Sequence, residues 1–68
     1  MEDFQQRVAD EKKELDEKLT RLDAFIQKEK MYQQLDHAEQ GRLARQAVIM
    51  HGYSAVLAER IAAFKQVA

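Results

Sequence analysis

The sequence predicts an all-α fold: an antiparallel two-helix hairpin that assembles into a helical homo-oligomer. Three observations point there. The first half of the chain carries one apolar stripe at helical spacing, the second half carries two, and a stop-and-start signal separates them near residues 31–36. A single hairpin can bury one stripe from each helix, so the extra stripe on the second helix requires a partner.

Composition narrows the class. With 68 residues, no cysteine and no proline, the chain forms one domain, 1–68, too small to rely on a large core and without disulfides to staple it. Stability must come from long helices and self-association. The residues are 46% hydrophobic and 34% charged, a balance that suits a soluble helical protein and argues against disorder. A net charge of −1 lacks the basic footprint of a DNA- or RNA-polymer binder. No apolar run approaches the roughly 20 residues of a membrane span. Met1-Glu2-Asp3 opens acidic, unlike a signal peptide, so no membrane partner and an intracellular location are expected.

Helix one is expected over about 3–30. Val8, Leu15, Leu19, Leu22 and Ile26 keep one side apolar, Phe4 extends that side, and Lys12 interrupts it. Glu14 with Lys18 and Glu17 with Arg21 are acid-before-base pairs four residues apart, each worth about 0.2–0.5 kcal/mol on an exposed face. The apolar pattern fades through Gln27-Lys28-Glu29-Lys30, where basic residues suit the negative end of the helix dipole.

The connection is expected at about 31–36, a length that favours antiparallel neighbours. Tyr32 and Leu35 are placed to plug the end of the hairpin, with ligand contact as the alternative for Tyr32. Asp36 offers an N-cap oxygen and Glu39, three residues later, can complete a capping box, so helix two starts near His37 and runs to about 66.

Along helix two, Leu43, Ala47, Met50, Leu57, Ile61 and Phe64 form a seam, while Gly41, Ala44, Val48, Gly52, Ala55 and Ala62 form a second stripe about 100° away. Gly41 and Gly52 each cost the helix roughly 1 kcal/mol relative to alanine. Either close helix approach or room for a ligand beside His51 and Tyr53 accounts for them, and a ligand at a subunit junction would combine the two.

Catalytic chemistry is weakly represented. There is no thiol, Ser54 has seam spacing and reads as a packing residue, and His51 would need an orienting acid from elsewhere. Asp36, His37 and Glu39 could touch a metal, but capping accounts for both acids and no His-Glu-x-x-His pattern is present, so no catalytic residue, metal ligand or cofactor is assigned. A binding constellation remains: Arg42, Arg45, Gln46, His51, Tyr53 and Arg60 on helix two, with Arg7, Lys13, Lys18 or Arg21 available from helix one of a neighbouring subunit. Arginine grips phosphate bidentately and tyrosine stacks on a base, although an ordinary charged surface has the same composition.

The arrangement F-x-x-R-V-x-x-E-K-x-E-L-D-E-K-L-x-x-L-x-A-F-I from Phe4 to Ile26, with R-Q-A-V-I-M-H-G-Y-S-A-V-L-A-E-R-I from Arg45 to Ile61, spans nearly the whole chain. It resembles a family of short helical-hairpin proteins from tailed phages and prophages, including crAss-like phages. More distantly, Gly52-Tyr53-Ser54-Ala55-Val56-Leu57 followed by Arg60 is similar to the second-helix pattern of the hairpin domain in phage anti-CBASS and anti-Thoeris sponges. Those sponges sequester cyclic nucleotide immune signals in oligomers, commonly hexamers.

The resemblance implies a non-enzymatic counter-defence protein in the host bacterial cytoplasm that holds a cyclic di- or trinucleotide without cleaving it. It implies Tyr53 and Arg60 as ligand contacts by spacing, with Arg7, Lys18 and Arg21 as candidates from helix one, whose register it leaves open. The alternative class is a helical interaction module that binds and inhibits a host protein through its apolar face.

Overall fold

Glu29 marks the first departure from helix in the chain. The computed structural model describes residues 2–64, with side chains from residue 4 onward, and orders them as α1 (Glu2–Lys28), α2 (Lys30–Gln34) and α3 (His37–Phe64). Among the described residues there is no strand. Helix one therefore stops two residues short of its expected end. The connection contains a helical turn of its own, flanked by extended backbone at Glu29 (φ −87°, ψ 131°) and Leu35 (φ −71°, ψ 153°). The physical reason is the fading apolar pattern: Gln27 to Lys30 are all exposed, so no burial holds α1 together past Lys28. The expected end of helix two near 66 lies outside the described residues.

α1 and α3 pack along their length in a rod measuring 52 × 14 × 14 Å between Cα atoms. Their contacts run in opposite chain directions: Phe4 meets Phe64, Lys12 meets Ser54, and Asp23 meets His51. The core is thin. Val8 and Leu19 of α1 and Ala47 and Leu57 of α3 are buried, and Leu57 is only 1% exposed. Leu15, Leu22 and Ile26 on one side, with Leu43, Met50 and Ile61 on the other, are half-buried around them.

Aromatic contacts close both ends. At the open end Phe4 and Phe64 meet edge to face with ring centroids 5.7 Å apart. At the connected end Phe25 and Tyr32 meet edge to face at 6.0 Å. The Tyr32 hydroxyl donates to the Gln40 carbonyl at 3.1 Å, and Gln40 Nε2 donates to the carbonyls of Tyr32 (2.8 Å) and Leu35 (3.0 Å). Tyr32 thus occupies the plug position, and Gln40 adds a second hydrogen bond to the Tyr32 carbonyl, which already accepts the Leu35 N–H, and pairs the Leu35 carbonyl.

Asp36 caps α3 through Oδ1, which accepts the Glu39 N–H at 2.8 Å. Glu39 does not return the favour as a full capping box would. Its carboxylate accepts Arg42 Nε at 2.8 Å, drawn forward along the helix by the stronger partner.

The two stripes of α3 separate by burial. Leu43, Ala47, Met50, Leu57, Ile61 and Phe64 are all buried or half-buried, whereas Gly41, Ala44, Val48, Gly52, Ala55 and Ala62 are all exposed. A Cβ built on either glycine would meet nothing within 4 Å. Packing between α1 and α3 therefore does not explain the glycines, and the second stripe is open along its whole length.

Candidate ligand-binding face

Two lateral faces flank the α1–α3 seam, and contacts identify each. On one, Lys12, Asp16 and Asp23 of α1 reach Ser54 and His51 of α3. On the other, the Arg60 guanidinium of α3 lies 5.8 Å from the centroid of the Phe4 ring of α1.

Of the residues predicted to bind a ligand, Arg7, Lys18, Tyr53 and Arg60 fall on the second face, and Arg21 does not. At about 100° per residue, Arg7 and Lys18 lie within roughly 20° of each other around α1, whereas Arg21 lies about 40° from Arg7 on the side away from Lys18 and roughly 140–160° from the buried Val8 and Leu19. Tyr53 and Arg60, two turns apart, lie within about 20° of each other around α3. Arg7 is one turn beyond Phe4, so Arg7 and Arg60 share the open end of the rod. Tyr53 stands about 10 Å towards the middle, and Lys18 and Arg21 stand about 16–21 Å from Arg7 towards the connected end. All five are exposed, Tyr53 at 43%. Within one chain Arg7, Lys18, Tyr53 and Arg60 share one lateral face without converging on one point, Glu11 and Glu14 stand between Arg7 and Lys18, and Arg21 lies near the back of α1.

Arg42 is held by Glu39, while Arg45 has no ion-pair partner among the described residues. Arg60 has no ion-pair partner among the described residues, and its guanidinium lies over the Phe4 ring.

The first face holds a polar cluster that seam spacing concealed. Ser54 Oγ donates to Asp16 Oδ1 at 2.6 Å and accepts from Lys12 Nζ at 3.0 Å, and Lys12 Nζ pairs with Asp16 Oδ2 at 2.6 Å. The Lys12 hydrogen bond, with help from Ser54, holds the Asp16 carboxyl below the ordinary carboxylate range against the opposing effect of desolvation. Ser54 is thus more than a small packing residue. The signal was present in the sequence: each apolar seam has one polar member, Lys12 and Ser54, and Asp16 follows Lys12 by one turn.

His51 finds its acid in Asp23, with Nε2 and Oδ2 2.9 Å apart. The Ser54 hydroxyl is engaged by Asp16 and Lys12 instead of by His51, so these residues do not form a nucleophile–base pair. Beside the cluster lies an open groove of about 410 Å³ lined by Ala9, Lys12, Lys13, Asp16, Glu17 and Thr20. Its two lysines face two acids, so its charges largely cancel. Among the described residues no group of three metal-ligating side chains gathers, and no helix is long and apolar enough to cross a membrane.

A family model described as Sequestin matches residues 2–63. The chain belongs to the Sequestin family. The matched span takes in α1, α2 and all but the last residue of α3, so the Sequestin unit and the helical unit coincide. Neither a curated protein nor a solved structure matches. In this Sequestin chain Arg7 and Lys18 share a lateral face with Tyr53 and Arg60, interleaved there with the exposed Glu11 and Glu14, and the opposite face carries the Lys12–Asp16–Ser54 cluster.

Proposed function

We propose that this Sequestin chain sequesters a cyclic di- or trinucleotide, acting stoichiometrically and without cleavage as a phage counter-defence protein in the host bacterial cytoplasm. Family membership over residues 2–63 carries the reading, because the family name denotes sequestration and agrees with the sponge-like pattern from Gly52 to Arg60. The candidate residues support it chemically: Arg7, Lys18, Arg21 and Arg60 are exposed cations, and Tyr53 offers an exposed ring for a base.

In this reading the chain works as a homo-oligomer built through α3, with six subunits as the expected number. Assembly brings these residues from neighbouring copies together, so a chain of net charge −1 gathers local positive charge around a polyanion. The exposed Val48, Ile49 and Val56 favour one other reading, a module that inhibits a host protein through its apolar face.

The experiment is recovery of the ligand. Protein purified from cells making cyclic nucleotide signals, then heat-denatured, should release an intact cyclic nucleotide detectable by mass spectrometry. Release of a linear product would remove the no-cleavage element. An empty oligomer that retains one stoichiometric host protein would replace sequestration with the interaction module.

A further inference from the structure

The exposed side of α3 has an internal symmetry about Gly52. Positions three, four and seven residues to either side of a helical residue share its face. At those offsets stand Ile49 and Ala55, Val48 and Val56, and Arg45 and Glu59. All six are exposed, with Ile49 at 63%, Val48 at 70% and Val56 at 52%. The apolar pairs flank Gly52 directly, and the charged pair beyond them is opposite in sign. Neither Arg45 nor Glu59 has an ion-pair partner among the described residues.

We infer that α3 docks on α3 of a second copy of this chain, antiparallel, about a two-fold axis passing at Gly52. It specifies the self-assembly in the reading above and rests on that part alone, not on any ligand. A two-fold contact places each residue opposite the one equally far beyond the axis in the other copy. Arg45 of each copy then faces Glu59 of the other, and the same operation sets Val48 against Val56 twice. A parallel pairing about the same face would instead bring Arg45 towards Arg45 and Glu59 towards Glu59, which is repulsive. The arrangement also gives the glycine a role. Gly52 sits at the crossing, where two helix backbones come closest and the missing Cβ permits the approach, although the space beside it is empty in one chain.

The chain has no cysteine, so single cysteines report the geometry directly. Gly52→Cys should form a disulfide-linked dimer on mild oxidation, because the residue lies on the axis. Gly41→Cys should not link to itself, since its two copies stand on the order of 33 Å apart, far beyond disulfide reach. Gly41→Cys mixed with Ala63→Cys should give the heterodimer. Arg45→Glu and Glu59→Arg should each weaken self-association about tenfold, and the two together should restore it.

Self-linking of Gly41→Cys as readily as Gly52→Cys would overturn the antiparallel axis. An oligomer in which no pair links would place assembly on another face and overturn the inference. A wild-type monomer at high micromolar concentration would overturn both it and the assembly reading. Axis-specific linking in a protein that binds no nucleotide supports the contact while removing the proposed ligand.

Discussion

Asp16 accepts a 2.6 Å hydrogen bond from the Ser54 hydroxyl across the α1–α3 seam, and the same carboxylate is paired with Lys12 one turn earlier. Because the folded-state pKa of Asp16 is lowered, its stabilising contribution is fully present above its unfolded value, near 3.8, and is lost as pH falls through the lower folded value. Urea melts of wild type and Asp16→Asn should therefore differ most above about pH 5 and converge as pH falls below the ordinary carboxylate range. In Ser54→Ala the Asp16 carboxyl should titrate closer to its ordinary range by NMR. A constant wild-type-to-Asn difference across that window would show that the cluster is not formed in solution.

Leu57 is the deepest side chain, at 1% exposure, while Leu22 opposite the same seam is only half-buried. Leu57→Ala should cost about 2–5 kcal/mol, and Leu22→Ala less, because a partly exposed site leaves a smaller cavity. Thermal or urea melts give both values. Losses below about 1 kcal/mol in both would contradict the packing register.

Nothing lies within 4 Å of a Cβ added at Gly52, so Gly52→Leu should leave the α1–α3 pair folded. If the exposed stripe is an assembly surface, the same substitution should break the oligomer by wedging the contact apart. Sedimentation should then show a monomer whose circular dichroism remains helical. An unchanged oligomer would exclude Gly52 from the contact.

Arg60 lies over the Phe4 ring and shares the open end of the rod with Arg7. Arg60→Ala should weaken cyclic-nucleotide binding by about tenfold or more, equivalent to at least about 1.4 kcal/mol, without changing oligomer size. Isothermal titration against a panel of cyclic di- and trinucleotides, with sedimentation as the control, is the measurement. Arg60→Lys should recover the charge but not the planar fork, and so rescue binding only in part. Equal affinity in wild type and Arg60→Ala would remove this residue from the site.

Local pattern alone determined much of this protein. Helical spacing of the two seams took in Val8, Leu19, Ala47 and Leu57, the side chains buried among the described residues, together with half-buried neighbours, and Asp36 announced the start of α3, because periodicity and capping act within a few residues. The same spacing separated the stripe that α1 covers from the one left open. Tertiary structure decided the rest. Only the antiparallel register could bring Lys12 and Asp16 to Ser54, or Asp23 to His51, across 28 to 42 residues of chain. Only it could put Arg60 over Phe4 and so bring Arg7, Lys18, Tyr53 and Arg60 onto one lateral face. A helix fixes the angle of each side chain about its own axis, but which flank of one helix meets which flank of another depends on how the two are docked.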